Sequence, residues 1–377
     1  MKIAQVAPLF ESVPPRLYGG TERVVSYLTE ELVRQGHQVT LFASGDSMTS
    51  AELVACTPQA LRLDPDARDT IPHMMVMLDK IRERADEFDI LHFHIDYLHF
   101  PLFRADAGRS LTTLHGRQDL ADHLPFYVRF SEMPLVSISD SQRIPLPKGN
   151  FVGTVYHGLP LDLYKPTFDS KGGYLAFLGR ISPEKRPDRA IEIARKAGLP
   201  LKIAAKVDKV DEAYFRETIE PMIDGRQIEY IGEINESAKS EFLGQAAALL
   251  FPIDWPEPFG LVMIEAMACG TPVLAFRGGS VPEIIDKEVT GHIVSSVEEA
   301  VAALPTVLAL DRRGIRRRFE ERFSSAQMAT QYVKLYQKLL IGPEAQKRAP
   351  VVAAHELNAH VHGRKAEAAA TAPHKPS

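Results

Sequence analysis

The chain of 377 residues has only two cysteines, Cys56 and Cys269, far apart and each in an apolar or small-residue setting. That excludes a disulfide framework and a cysteine-built metal cluster, and a reducing, cytoplasmic location is expected. No stretch approaches about 18 uninterrupted apolar residues, so no membrane-spanning helix is expected. The opening MKIAQVAPLF carries one lysine and an apolar run too short for the core of a secretory signal. Positive charge is not in excess either: 44 Lys and Arg against 49 Asp and Glu leave a formal charge of -5. Non-specific nucleic-acid binding needs a basic surface that displaces counterions, so no nucleic-acid partner is expected. Gly19-Gly20 lacks the full G-x-G-x-x-G spacing, which counts against a dinucleotide dehydrogenase.

What is present is ordinary globular composition, 45% hydrophobic and 25% charged, in a chain too long for one core. Apolar strand-like runs alternate with helical patterns: KIAQVAPL (2–9), HQVTLFAS (37–44), DILHFH (89–94), SLTTLHG (110–116), PLVSISD (134–140) and FVGTVYHG (151–158). Such alternation predicts a mostly parallel sheet with helices on both faces. A polar segment, Leu159 to Gly173, interrupts the pattern, which restarts with YLAFLGR (174–180), LKIAAK and IEYIGE, separated by helices over 185–198 and 211–223. ALLFPI, PVLAFR and GHIVSS follow. Two doubly wound α/β units with a cleft between them are therefore expected. Residues 343–377 carry almost no large apolar side chains and read as a disordered tail.

The chemistry concentrates in EPFGLVMIEAMACGTPVLAFRGGSVPEII, residues 257–285. Pro258 biases Glu257 toward extended backbone, while Gly260 to Ala268 favours helix, so Glu257 is expected in a loop and Glu265 within the helix. Arg180, at the end of one strand, and Lys185, near the next helix, fall at the carboxyl edge of a parallel sheet, where ligands of such folds bind. They form a candidate clamp for a diphosphate. His92, His94 and Asp96 share one face if they lie on a strand, yet without a second cluster they read as cleft-lining or structural residues, and no metal is expected. The run DRRGIRRRFEERF (311–323) interleaves acids with arginines and reads as a solvated helix face, with peripheral membrane contact as its alternative.

Taken with GRISPEK (179–185), LYGGTERVV (17–25) and FSSAQMATQYVKLYQKLL (323–340), the region resembles a retaining glycosyltransferase of family 4, of the GT-B fold, over roughly Lys2 to Leu340. The resemblance implies an acceptor-side domain over 1–165, a nucleotide-sugar-binding domain over 166–325, and a closing helix over 326–342 that packs back on the first. It implies catalytic roles for Glu257, which would contact a hydroxyl of the transferred sugar, for His115 beside that sugar, and for Arg180 and Lys185. Glu265 would accept from the ribose hydroxyls. Gly19, Gly20, Phe259, Gly260, Leu261 and Val262 resemble the loops that approach the donor, and Gly278-Gly279 with Pro282 and Glu283 match the family's GG-x-x-PE pattern. The chain departs from that pattern at Arg186-Pro187, where glycine is common, and at Lys206, which stands where a glycine-rich turn is usual and adds a donor contact. The implied reaction transfers a sugar from a nucleotide-diphosphate sugar to an acceptor alcohol, glycan or lipid, with retention and without a metal or other cofactor. The alternatives are a sugar-nucleotide epimerase of the same fold and a catalytically silent nucleotide-sugar-binding protein.

Overall fold

A computed structural model of the protein describes residues 1–16, 19–170 and 173–346. Among the described residues, thirteen strands form two parallel sheets. The first contains β1 (Lys2–Val6), β2 (Gln38–Ser44), β3 (Glu52–Thr57), β4 (Ile90–Phe93), β5 (Ser110–Thr113), β6 (Leu135–Ser137) and β7 (Phe151–Thr154), in the order β3-β2-β1-β4-β5-β6-β7. The second contains β8 (Leu175–Ile181), β9 (Leu201–Val207), β10 (Ile228–Gly232), β11 (Ala248–Phe251), β12 (Val273–Phe276) and β13 (Gly291–Val294), in the order β10-β9-β8-β11-β12-β13. Each order reverses once, at β1/β4 and at β8/β11. Such a reversal opens a crevice beyond the strands' carboxyl ends.

Helices cover both faces, and their sequences explain which side they bury. In Gly20–Arg34, Val24, Leu28 and Leu32 recur at i, i+4, i+8 and are buried with Ile3 and Val39. The helix Ser325–Gln346 repeats that spacing with Met328, Tyr332 and Tyr336 and enters the same core, so the last described helix completes the first sheet's packing. The chain thus crosses between the sheets twice. At the crossing, the Leu159 amide donates to the Phe323 carbonyl at 2.8 Å and Ser325 donates back to Leu159 at 2.9 Å. Gly158 permits this approach, since a Cβ there would stand 2.3 Å from the Ser324 carbonyl oxygen.

Four sequence expectations change. β3, ELVACT, was not anticipated: it is a short edge strand, partly exposed. The helix expected over 211–223 is an unbroken helical stretch, Lys209 to Met222, but an irregular one that tightens and widens along its length and stops just after Pro221, which has no amide hydrogen to continue a helix. The arginine run is only partly a solvated face: Arg313, Arg317, Glu320 and Glu321 are exposed, but two of its arginines turn inward. Arg316 is buried and donates to the Tyr164, Ala268 and Leu161 carbonyls at 3.1, 2.7 and 2.6 Å, and Arg312 to those of Thr167, Ala246 and Gly244. These guanidiniums satisfy carbonyls at the ends of neighbouring elements. Finally, the helix Ser325–Gln346 runs past the expected tail start at 343, and residues 347–377 lie outside the described residues. No described helix is long and apolar enough to cross a membrane. Cys56 and Cys269 are buried free thiols, both pushed upward by burial.

Candidate functional site

A cleft of about 1030 Å3 lies between the two sheets' carboxyl edges. Every residue singled out above as catalytic or donor-binding lines it: Gly19, Gly20, His115, Arg180, Lys185, Lys206, Glu257, Phe259, Gly260, Leu261, Val262 and Glu265. The fold brings them together because each lies in the last residues of a parallel strand or follows its carboxyl end: Arg180 in β8 and Lys206 in β9, the glycines after β1, His115 after β5, Lys185 after β8 and the 257–265 segment after β11.

On the second sheet's side, each cation meets a carboxylate. Lys185 is hydrogen-bonded to Glu257, whose Oε2 also accepts from the Trp255 indole at 3.0 Å. The ammonium lies 4.8 Å from the centre of the Trp255 ring, the chain's single tryptophan. Arg180 contacts Glu184 at 3.2 Å and Asp208 at 3.5 Å, and Lys206 contacts Asp208 at 3.0 Å. Arg186, standing where glycine is common, has φ of 54°, the left-handed region. Its guanidinium holds Asp188 at 2.7 Å and Asp254 at 3.0 Å, which anchors the residue in a conformation that glycine would adopt freely.

Glu257 lies in the loop and Glu265 within the helix Leu261–Ala268. The loop is braced by the glycine pair: a Cβ on Gly279, at φ of 52°, would stand 2.2 Å from the Glu257 carbonyl oxygen. Ser280 then donates its amide to that oxygen at 2.9 Å and its hydroxyl to the Phe259 carbonyl at 2.8 Å. Glu265 is 2% exposed; Oε1 accepts from Lys239 at 3.0 Å, and Oε2 has no partner among the described residues. A buried acceptor left so costs about 1–3 kcal/mol, which a hydroxyl donor from a ligand would relieve. Lys239 and Glu236 were not anticipated. They follow β10 within IEYIGEINESAK, and the position after a strand end was the signal that could have found them. Glu236 joins the two walls, hydrogen-bonded to Tyr164 and to Arg23 of the first-sheet helix Gly20–Arg34. Glu283 makes a second bridge, accepting from the Asp140 and Ser141 amides at 2.7 and 2.8 Å and from Tyr156 at 3.1 Å.

The first sheet's side contributes Glu22, Arg23, Arg62, Asp96 and Arg117 to the lining, together with a cluster of neutral rings. His115 Nε2 is 2.9 Å from His94 Nδ1, and its ring lies nearly parallel to His157, 5.3 Å between centres. Burial pushes His115 down to about 3 and holds His92, His94 and His157 well below the ordinary imidazole value, so all are neutral at pH 7. Glu22, also in the cleft, is pushed up to about 7 by burial. His92 and His94 lie together, 4.1 Å between ring centres, but Asp96 does not share their strand face, since β4 ends at Phe93 and Asp96 sits beyond it with φ of 53°. His92 is engaged by Thr113 at 2.8 Å and by Tyr336 at 2.7 Å. Among the described residues no group of three His, Cys, Asp or Glu is placed to hold a metal ion.

Against known proteins, residues 163–324 match the family model for glycosyl transferases group 1, and residues 18–138 that for glycosyltransferase family 4. A Methanocaldococcus jannaschii protein described as an uncharacterized glycosyltransferase is 25% identical over 340 residues, spanning 77% of this chain and 84% of its own length. Among solved structures, AviGT4, a glycosyltransferase involved in avilamycin A biosynthesis, superposes with a TM-score of 0.68 at 23% identity, covering 91% of this chain and 98% of that one. Anabaena HepE in complex with UDP-glucose superposes with a TM-score of 0.68 at 14% identity, covering 90% and 100%.

Proposed function

This chain is a glycosyltransferase of the GT-B fold, and we propose that it moves a sugar from a nucleotide-diphosphate sugar to an acceptor hydroxyl with retention of anomeric configuration. The observation that carries the reading is the wall of Arg180, Lys185, Lys206 and Lys239 at the second sheet's carboxyl edge, each cation facing a carboxylate in one cleft. A diphosphate entering there exchanges carboxylate partners for phosphate oxygens. Arg180 and Lys185 then stabilise the charge that builds on the departing diphosphate, and charge-assisted bonds of this kind contribute roughly 1.5–3 kcal/mol each. Released from Lys185, Glu257 is free to hold a sugar hydroxyl, and Glu265 Oε2 takes the ribose. HepE is a protein of this fold that binds UDP-glucose, which supports a nucleoside diphosphate hexose as the donor class.

Retention follows from the departing phosphate's position on the face the acceptor attacks: the bond to the leaving oxygen breaks as the acceptor oxygen approaches, and a phosphate oxygen takes the acceptor's proton. No protein nucleophile is needed. The two cations neutralise the diphosphate, so transfer proceeds without a metal. Closure of the two walls excludes water and limits donor hydrolysis. The protein works in the cytoplasm on an acceptor alcohol, glycan or lipid.

A panel of nucleotide sugars, each with and without acceptor alcohols, tests this. Acceptor-dependent release of nucleoside diphosphate, an unchanged anomeric configuration by NMR and persistence in excess EDTA are the expected results. Conversion of the donor without an acceptor would indicate an epimerase, and binding without turnover a silent binding protein. Activity abolished by EDTA and restored by a divalent ion would overturn the metal-free mechanism.

A further inference from the structure

We propose that the closing helix Ser325–Gln346 decides which ring nitrogen of His115 carries the proton, through the hydrogen-bonded chain Tyr336–Gln5–His94–His115, so that His115 meets the sugar as an acceptor at Nδ1. The inference rests on the reading of the cleft as the sugar-transfer site. A neutral imidazole has one donor nitrogen and one acceptor, so in a row of touching neutral rings each proton position fixes the next. Gln5, buried on β1, presents its amide oxygen 2.8 Å from His94 Nε2. An amide oxygen only accepts, hence His94 Nε2 carries the hydrogen and His94 Nδ1 the lone pair. His115 Nε2, 2.9 Å away, must then donate to it. That leaves His115 Nδ1 bare, and this nitrogen has no partner among the described residues.

The other end of the chain fixes the Gln5 amide. Its nitrogen donates to the Tyr336 hydroxyl at 3.2 Å and lies 3.3 Å from His92 Nδ1, so in this arrangement His92 Nδ1 carries the lone pair and takes the hydrogen of the Tyr336 hydroxyl, 2.7 Å away. His92 Nε2 in turn donates to Thr113 at 2.8 Å. Turning the Gln5 amide over would reverse every one of these hydrogens and place N–H on His115 Nδ1, so the groups switch as a set. The reversed set would bury an unpartnered donor at the cleft wall, a rarer state in folded proteins than an under-used acceptor. Gln5, His94 and Tyr336 are thus positioning residues. Through them His115 holds a hydroxyl hydrogen of the sugar and does not act as a proton donor to the leaving group.

Nitrogen-15 labelling of the histidine rings and long-range proton–nitrogen correlation reads the tautomer directly, with His115 assigned by loss of its signals in His115→Gln. In the unaltered protein the hydrogen should sit on Nε2 with Nδ1 bare. Tyr336→Phe and Gln5→Leu should both give mixed tautomers and, with the donor that sustains turnover, lower kcat about tenfold while donor KM stays within about twofold. Gln5 is buried, so if Gln5→Leu does not fold, Tyr336→Phe carries the test. A hydrogen on His115 Nδ1 in the unaltered protein, a single unchanged tautomer in the variants, or a changed tautomer with kcat untouched would each overturn the proposal. Absence of turnover with every nucleotide sugar would instead sink the functional reading, and the tautomer would still decide whether the helix controls His115.

Discussion

The two walls of the cleft solve the same problem, keeping polar groups ready in a confined space, by opposite means. The second sheet's wall stores full charges in opposed pairs, Lys185 with Glu257 and Lys239 with Glu265, which a charged ligand can separate. The first sheet's wall also carries charged groups, Arg23 paired with Glu236 and Arg62 with Glu11, but around His115 its polar groups are neutral: the histidines are tied to one another, to Gln5, to Thr113 and to Tyr336. A buried ion pair contributes little net stability but is costly to break on one side only. A neutral network is cheap to bury when every member is satisfied and directional in what it offers. The difference teaches that one wall is suited to gripping an anion and the other to orienting hydroxyls.

The sharpest way to break that contrast is to remove the gripping charges. Arg180→Ala and Lys185→Ala should each lose about 2–4 kcal/mol of transition-state stabilisation, read as a fall in kcat/KM, with circular dichroism unchanged. Near-normal turnover in both would dissolve the distinction between the walls.

Acid sharpens it from the other side. The His115 value of about 3 lies below the ordinary 6.5, so the unfolded chain binds protons that the folded chain refuses. Stability from this group is full above about pH 6.5 and is lost as pH falls toward 3. His92, His94, His99 and His157 are shifted the same way. Each adds a slope of up to about 1.4 kcal/mol per pH unit in that window. Urea unfolding at pH 7 and pH 5.5 should therefore show a large drop in midpoint, and a flat profile would mean that the rings are not held neutral.

A finer division lies within the charged wall. Glu265→Ala should weaken binding of the free nucleoside diphosphate, whereas Glu257→Ala should leave that affinity nearly unchanged and impair use of the complete donor. Equal losses of free-diphosphate affinity in calorimetry would contradict the separate roles. Smallest in energy is an optical effect: Trp255 touches the same Glu257 oxygen as Lys185, so adding nucleoside diphosphate should shift the protein's tryptophan emission. Emission that ignores a saturating ligand would place the diphosphate away from Lys185.

The charged wall was largely legible in the sequence because its geometry is local. Arg180 ends one strand and Lys185 lies in the turn that follows it, and Glu257 and Glu265 lie on one loop and the helix after it. The parallel sheets were legible from the alternation of apolar runs. The neutral wall was legible only in part: His115 was expected beside the sugar and His92 and His94 as cleft-lining or structural residues, but their network was not, because Gln5, His92, His94 and Tyr336 meet only when β1 lies beside β4 and the closing helix docks over both. The reading of His92, His94 and Asp96 as cleft-lining or structural residues agrees with their places, His94 and Asp96 on the cleft and His92 buried, although β4 is too short to hold all three on one strand face. Reading 311–323 as solvated holds for Arg313, Arg317, Glu320 and Glu321 but not for Arg312 and Arg316, because charge pattern alone does not reveal which arginines find backbone carbonyls.

The completion of the first core by Met328, Tyr332 and Tyr336 also sets an order of events during synthesis. β7 ends at Thr154, yet the side chains that seal this sheet emerge from the ribosome only after the whole second sheet has been made. At about 5–20 residues per second the nascent chain waits on the order of ten seconds or more with that apolar groove open and Gln5 and His92 without Tyr336. The first half, although it is made first, is therefore the last to complete its core.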